Sequence, residues 1–204
     1  MEKIKFTKGE LKRQRDALRQ FERYLPTLQL KKQQLQIEIS YQAAIIIEKS
    51  RAQAAKKEAA LIWAGLLSEP IDLRPWVRPK EILTDTKNIA GVDIPVFKHA
   101  EFERAEYDLF TTPLWIDAAI GQLRLLVSIR EEIQALERGM EILRQELRIT
   151  TQRVNLFEKV KIPESREAIR RIKIYLGDQT ANAVGRSKTA KRKIEMLVLQ
   201  GVDA

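Results

Sequence analysis
Ile133-Gln-Ala-Leu136-Glu-Arg-Gly-Met140-Glu-Ile-Leu143-Arg-Gln-Glu-Leu147-Arg-Ile-Thr150-Thr-Gln-Arg-Val154-Asn-Leu-Phe157 places an apolar side chain at alternating steps of three and four, with Thr150 as the polar member of the series. Alternation of this kind keeps one narrow stripe of a helix turned toward a partner helix, which is the demand of a left-handed coiled coil. The partner stripe lies near the start of the chain. Thr7 and Glu10 have capping-box spacing. A helix begun there presents Leu11, Leu18, Leu25, Ile39 and Ile46 at one heptad position and Phe21, Leu28 and Leu35 at the other. Lys32 and Gln42 interrupt the stripe, and Ile45 and Ile47 broaden it.

Pro26 removes an amide donor and crowds the preceding turn. The pattern resumes in phase at Leu28, which predicts a local kink rather than a loop. Continued over 7–67, the helix would be roughly 90 Å long, more than a compact globule of this size holds. Residues 68–112 read differently. Pro70, Pro75, Pro79, Pro95 and Gly91 punctuate short runs, and Glu81–Thr84 and Val92–Phe97 are expected to form a β-hairpin turning through Asp85–Asn88. From Pro113 a second helix runs through Ile116, Ile120, Leu123 and Val127 into the regular seam, passing Gly139 unchanged. Pro163 marks a bend, after which a new phase starts at Ile169, Ile172, Tyr175 and Leu176.

The expected fold is therefore all-α dominated: a long antiparallel two-helix coiled-coil hairpin with a small β-hairpin insert. Its parts are residues 1–67 as the first helix, 68–112 as the insert, and 113–204 as the second helix with the bend near 163. The second arm outruns the first, so one end must overhang or bend.

Composition closes several chemical routes. The chain has 204 residues and no cysteine, which excludes disulfides, thiolate metal sites and cysteine nucleophiles. The lone histidine, His99, lies in a polar segment with no second histidine to share a ligand or base role. No window resembles a membrane span or the apolar core of a signal peptide, so a cytoplasmic address is expected. Gly185-Arg186-Ser187-Lys188-Thr189 lacks the glycine spacing of a phosphate-cradling loop, and Arg186 stands where the lysine belongs. Glu131/Glu132 and Glu101/Glu103 have no evident shared pocket, and adjacent helical carboxylates do not face each other. No catalytic, cofactor or metal residue is assigned.

The net charge of +9 is uneven. Residues 1–60 hold 14 Lys/Arg against 7 Asp/Glu, residues 61–160 hold 13 against 16, and residues 161–204 hold 10 against 5. Paired ends would form one basic tip, suited to an acidic protein surface or a nucleic acid. There is no base-reading module or aromatic stacking platform to support the latter. Trp63, Trp76 and Trp115 belong to one end of the hairpin, either packing the insert onto the helices or serving as docking anchors.

Three segments resemble the central-stalk D subunit of the vacuolar/archaeal-type rotary ATPases, a family also present in bacteria. Thr151-Gln-Arg153-Val154-Asn155-Leu156-Phe157-Glu158-Lys159-Val160-Lys161-Ile162-Pro163 looks like the family's Arg-Val-Asn-Ala-Leu-Glu segment followed by Ile-Pro. Asn88-Ile89-Ala90-Gly91-Val92-Asp93-Ile94-Pro95 is similar to its central Gly-Val-x-x-Pro element, and Thr7-Lys8-x-x-Leu11 fits its opening. Leu156-Phe157 departs from the usual Ala-Leu, and Pro26 falls where a glycine and Leu-Leu-Lys-x-Lys are common.

The resemblance implies a non-catalytic axle with no cofactor. Its paired ends would enter the hexamer of catalytic A and non-catalytic B subunits, while its middle meets the small stalk F subunit and the socket protein above the membrane rotor ring. It implies a peripheral position on the cytoplasmic side of the membrane, with no membrane insertion and no nucleic acid. Hexamer contacts are then expected at Lys8, Lys12, Arg13, Lys188, Lys191 and Arg192, and F-subunit or regulatory contacts at Trp76, Ile89, Val92, Ile94 and Phe97. A self-standing coiled-coil tether and a basic nucleic-acid-binding hairpin are the alternatives.

Overall fold
The computed structural model describes residues 5–69, 71–108, 110 and 112–199. Pro70 and the outermost positions of both terminal segments lie outside the described residues. The element order is α1 (Lys8–Leu61), a 3-10 turn (Ala64–Ser68), α2 (Arg74–Val77), β1 (Pro79–Ile89), β2 (Val92–Phe102), α3 (Trp115–Leu156), a π segment (Phe157–Lys161) and α4 (Ile162–Leu199). The chain divides into two compact units, Met1–Gln29 with Gln152–Ala204, and Leu30–Thr151.

In the first unit, Thr7 Oγ1 accepts the Glu10 amide at 3.2 Å, which is half of the capping box and starts α1. Pro26 sits inside α1 without ending it. The pairing is antiparallel: the Phe6 ring lies 5.1 Å from that of Tyr175, and Phe21 lies 5.1 Å from Phe157. Glu22 accepts a hydrogen bond from Arg166 at 2.8 Å.

Val154 and Phe157 continue the three-and-four series, but the next inward residue is Ile162, one step late; Ser165, Ile169 and Ile172 then restore the alternation. The π segment absorbs that extra residue. Its i→i+5 bonding, seen in the Ile162 amide reaching the Phe157 carbonyl, adds a residue to one turn and returns the seam to its partner. Pro163 fits here because the wider turn relieves the ring of the carbonyl four residues earlier. At the proline where a bend was expected, the backbone thus stays helical and widens.

In the second unit, α1 and α3 are also antiparallel. Lys31 pairs with Glu146 at 2.7 Å, and Lys49 pairs with Glu132 at 3.0 Å. Leu35 and Leu143 are fully buried at the contact, and Ile133 and Thr150 are buried on the same face of α3. Gln42, an interruption in the sequence pattern, is buried with the seam, and its Nε2 donates to Glu38 at 3.3 Å. The first helix ends at Leu61 rather than continuing to 67, because Trp63 turns in to pack on the cluster of Leu73, Ile116, Ala119 and Ile120.

The β-hairpin is longer than its sequence suggests, and its turn lies elsewhere. Ile89 pairs with Val92, so the turn is Ala90-Gly91, not Asp85–Asn88. Both turn residues have positive φ, 51° and 77°, as a two-residue type I′ connection requires. Asn88 Oδ1 accepts the Gly91 amide at 3.1 Å, and its Nδ2 donates to Asp93 at 2.6 Å. Register shifts at Pro79/Glu81 and Leu83/Thr84 mark irregularities in the ladder.

Candidate functional site
The hairpin is built into the helical pair rather than hung from it. Ile94 is 1% exposed and packs with Leu35 of α1 and Leu143 of α3, and Ile39, Leu147, Ile89, Ala90 and Val92 border the cluster. Gly139 lies on the face of α3 that meets the hairpin. A Cβ there would lie 3.6 Å from the Ile94 Cβ, 3.7 Å from the Pro95 carbonyl oxygen and 3.7 Å from Gln42 Oε1. These are ordinary van der Waals distances, so alanine would fit at 139 and only a longer side chain would press on β2. Ile94, expected on a contact surface, therefore serves the core, because the alternation of β2 turns it toward the helices.

At the opposite end of the hairpin, Arg124 on α3 donates from Nε to the Trp76 carbonyl at 2.8 Å and from its terminal nitrogen to the Glu103 carbonyl at 2.5 Å. Its guanidinium also lies 5.2 Å from the centre of the Phe102 ring. One side chain thus joins the segments entering and leaving the hairpin. Trp76 stacks at 5.2 Å on Tyr107, whose hydroxyl donates to Asp117. Trp63, Trp76 and Trp115 border the same cluster around Leu73 and Ile116, so their packing role is visible.

Beyond that cluster, apolar side chains are left in solvent. Ile62 is 90% exposed, Phe110 99% and Leu114 95%, with Leu61, Leu66 and Leu67 also exposed.

The expected basic tip is not assembled as the sequence suggested. Phe6 meets Tyr175, so Lys188 lies further along α4 by about 20 Å at 1.5 Å per residue. Lys8, Lys12 and Arg13 form one basic band, and Lys188, Lys191 and Arg192 form another beyond the reach of α1; all six are exposed. Arg13 pairs with Glu10 at 3.3 Å and Lys191 with Glu195 at 3.8 Å. Every described side chain of α4 from Gly177 to Leu197 is exposed, including Val184, Ile194, Met196 and Leu197.

Among the described residues there is no group of three or more His, Asp or Glu able to hold a metal, and no helix long and apolar enough to cross a membrane. The one strongly displaced carboxyl is Glu167, held at about 2 by hydrogen bonds from Arg170 and then Arg171. Its partners are neighbours on the same helix face, an arrangement for helix stability.

Fold and surfaces together define a protein of paired long helices with a β-hairpin insert, with exposed basic and apolar side chains along its helices. A family model described as the D subunit of ATP synthase matches residues 10–192. The chain is 45% identical over 194 residues to the V-type ATP synthase D subunit of Borreliella burgdorferi, covering 95% of this chain and 96% of that protein. It is 35% identical over 197 residues to the protein of that name from Chlamydia caviae, covering 94% of each, and 33% identical over 201 residues to that of Chlamydia pneumoniae, covering 97% and 96%. The chain belongs to the family of V-type ATP synthase D subunits.

Proposed function
We propose that the chain is the non-catalytic central shaft of its complex, carrying torque between the hexamer of A and B subunits and the ion-translocating membrane ring. The carrying observation is the antiparallel helix pairing within each unit, with Leu35 and Leu143 buried in one and Val154 and Ile172 in the other while the outward faces stay charged. Interdigitated side chains resist sliding and splaying, the two deformations that would dissipate a twist. The π segment supports the same reading, since it keeps the seam continuous where the sequence slips by one residue.

The two basic bands, Lys8, Lys12 and Arg13 on α1 and Lys188, Lys191 and Arg192 on α4, are assigned to successive levels of the hexamer cavity. They would steer and align through exposed charge rather than bind tightly. The exposed apolar side chains of Ile62, Phe110 and Leu114 suit contact with the socket protein above the ring. Trp76, Ile89, Val92 and Phe97 remain the assignment for the F subunit, without Ile94. The complex would hold the chain on the cytoplasmic side of the membrane as a peripheral component.

The test is copurification with the A and B subunits, followed by stoichiometry and by ATPase coupling in a complex lacking this chain. One copy per hexamer, with hydrolysis uncoupled from ion movement in its absence, is expected. A stable homodimer that ignores the hexamer would establish the tether reading instead, and salt-sensitive association with DNA or RNA the nucleic-acid one.

A further inference from the structure
Between α2 and α3 runs an open groove of about 490 Å³ whose use the shaft reading leaves unexplained. Its floor is apolar, formed by the buried or half-buried Leu73, Val77, Pro79, Leu123 and Val127. Its rim is basic. Arg74, Arg78 and Arg130 line it against a single carboxylate, Glu131. Arg74 is engaged by Asp72 at 3.0 Å, whereas no ion pair is formed by Arg78 or Arg130 among the described residues. Arg124, the other arginine nearby, is committed to Trp76 and Glu103.

We propose that this groove docks an acidic amphipathic helix of a partner protein. Three properties select that occupant. An apolar floor takes the apolar side chains of one helix face, and Leu123 to Glu131 on α3 spans about 12 Å, room for two turns presenting residues at i, i+3 or i+4, and i+7. The guanidinium rim matches carboxylates flanking that stripe, with the geometry for bidentate pairing. The walls are helical: the amides of Trp76, Val77 and Arg78 are bonded within α2, and those lining α3 lie inside that helix. An extended segment would find few free backbone amides there, while a helix brings its own hydrogen bonds satisfied.

This inference rests on the chain being one component of a larger assembly, and the experiment separates the two. A photoreactive benzoylphenylalanine is placed at Val127 in the complete complex, with a second at the exposed Phe110 as control, and cross-linked peptides are identified by mass spectrometry. Capture by Val127 of a helical segment with Asp or Glu beside an apolar stripe is expected. The paired substitution Arg78→Glu and Arg130→Glu should weaken association with that segment's protein by about tenfold or more, while Arg78→Lys and Arg130→Lys retain most of it. Capture of lipid, or of a basic or extended segment, overturns the proposal. So does absence of a Val127 product when Phe110 gives one. If the chain never copurifies with A and B subunits, yet Val127 captures an acidic helix of another protein, the groove stands and the shaft reading falls.

Discussion
Arg124 donates to the carbonyl oxygen of Trp76 at 2.8 Å, tying the third turn of α3 to the residue that leads into β1. With its second bond to the Glu103 carbonyl, the side chain closes the base of the hairpin as Ile94 fastens its far half. Charge-assisted bonds from a half-buried guanidinium stabilise by about 1.5–3 kcal/mol. Arg124→Met should destabilise the chain by about 2–3 kcal/mol in chemical unfolding. It should also accelerate amide exchange in β1 and β2 more than in the middle of α3; uniform acceleration would show that the hairpin is not held locally.

Leu143 is fully buried between Leu35 and Ile94, whereas its neighbour Ile142 is 38% exposed. Leu143→Ala should cost about 2–5 kcal/mol and Ile142→Ala much less. Equal denaturation midpoints for the Leu143 variant and the parent would remove this residue from the seam.

At Ala90, φ is 51°, a conformation that costs a β-branched residue more than alanine. Ala90→Val is expected to destabilise by about 1–2 kcal/mol. Ala90→Gly should be close to neutral, because relief of the left-handed strain offsets the added freedom of the unfolded chain. Urea unfolding of both variants distinguishes this from a simple volume effect.

The π segment predicts an unusual tolerance. Removing Val160 together with Pro163→Ala should convert Phe157–Lys161 to ordinary α-helix and leave the seam in phase, with little loss of stability. Removing the exposed Arg148 instead would rotate every later seam residue away and cost more than about 3 kcal/mol. If the two deletions are equally harmful, the extra residue is not what the π turn accommodates.

Glu167 should titrate near 2, and Arg170→Gln with Arg171→Gln should return it toward the usual carboxylate range. Because the folded value lies below the unfolded one, its contribution is fully present above the unfolded value. It is lost as pH falls through the folded value, so the window is roughly 4.5 down to 2. Carboxyl chemical shifts followed through an acid titration measure it directly.

Much of this was legible from spacing alone. The alternation from Ile133 to Phe157 marks residues that are buried or half-buried, while Glu141, Arg144 and Arg148 between them are exposed. Even the phase slip before Ile169 was present in the sequence. Its structural solution was not, since a widened turn and a bend leave the same apolar pattern. The hairpin turn escaped because alanine carries no signal for positive φ, whereas the polar run Asp85–Asn88 resembles a turn by composition. Ile94 was placed in the strand Val92–Phe97 and expected on a contact surface, but the face it takes depends on register, which the turn sets. The six basic residues were expected at one tip, and their separation depends on where Phe6 meets α4, a long-range contact without a local signature.

From Gly177 onward α4 is a single helix with no neighbour along its described length, carrying Gly185, Thr180, Asn182, Ser187 and Thr189, all weak helix formers. A lone segment of that composition is only marginally helical in water. Those turns are held by little beyond their own hydrogen bonds, so the protein is expected to melt from this end first, and any partner gripping this segment would also have to supply the free energy that keeps it wound.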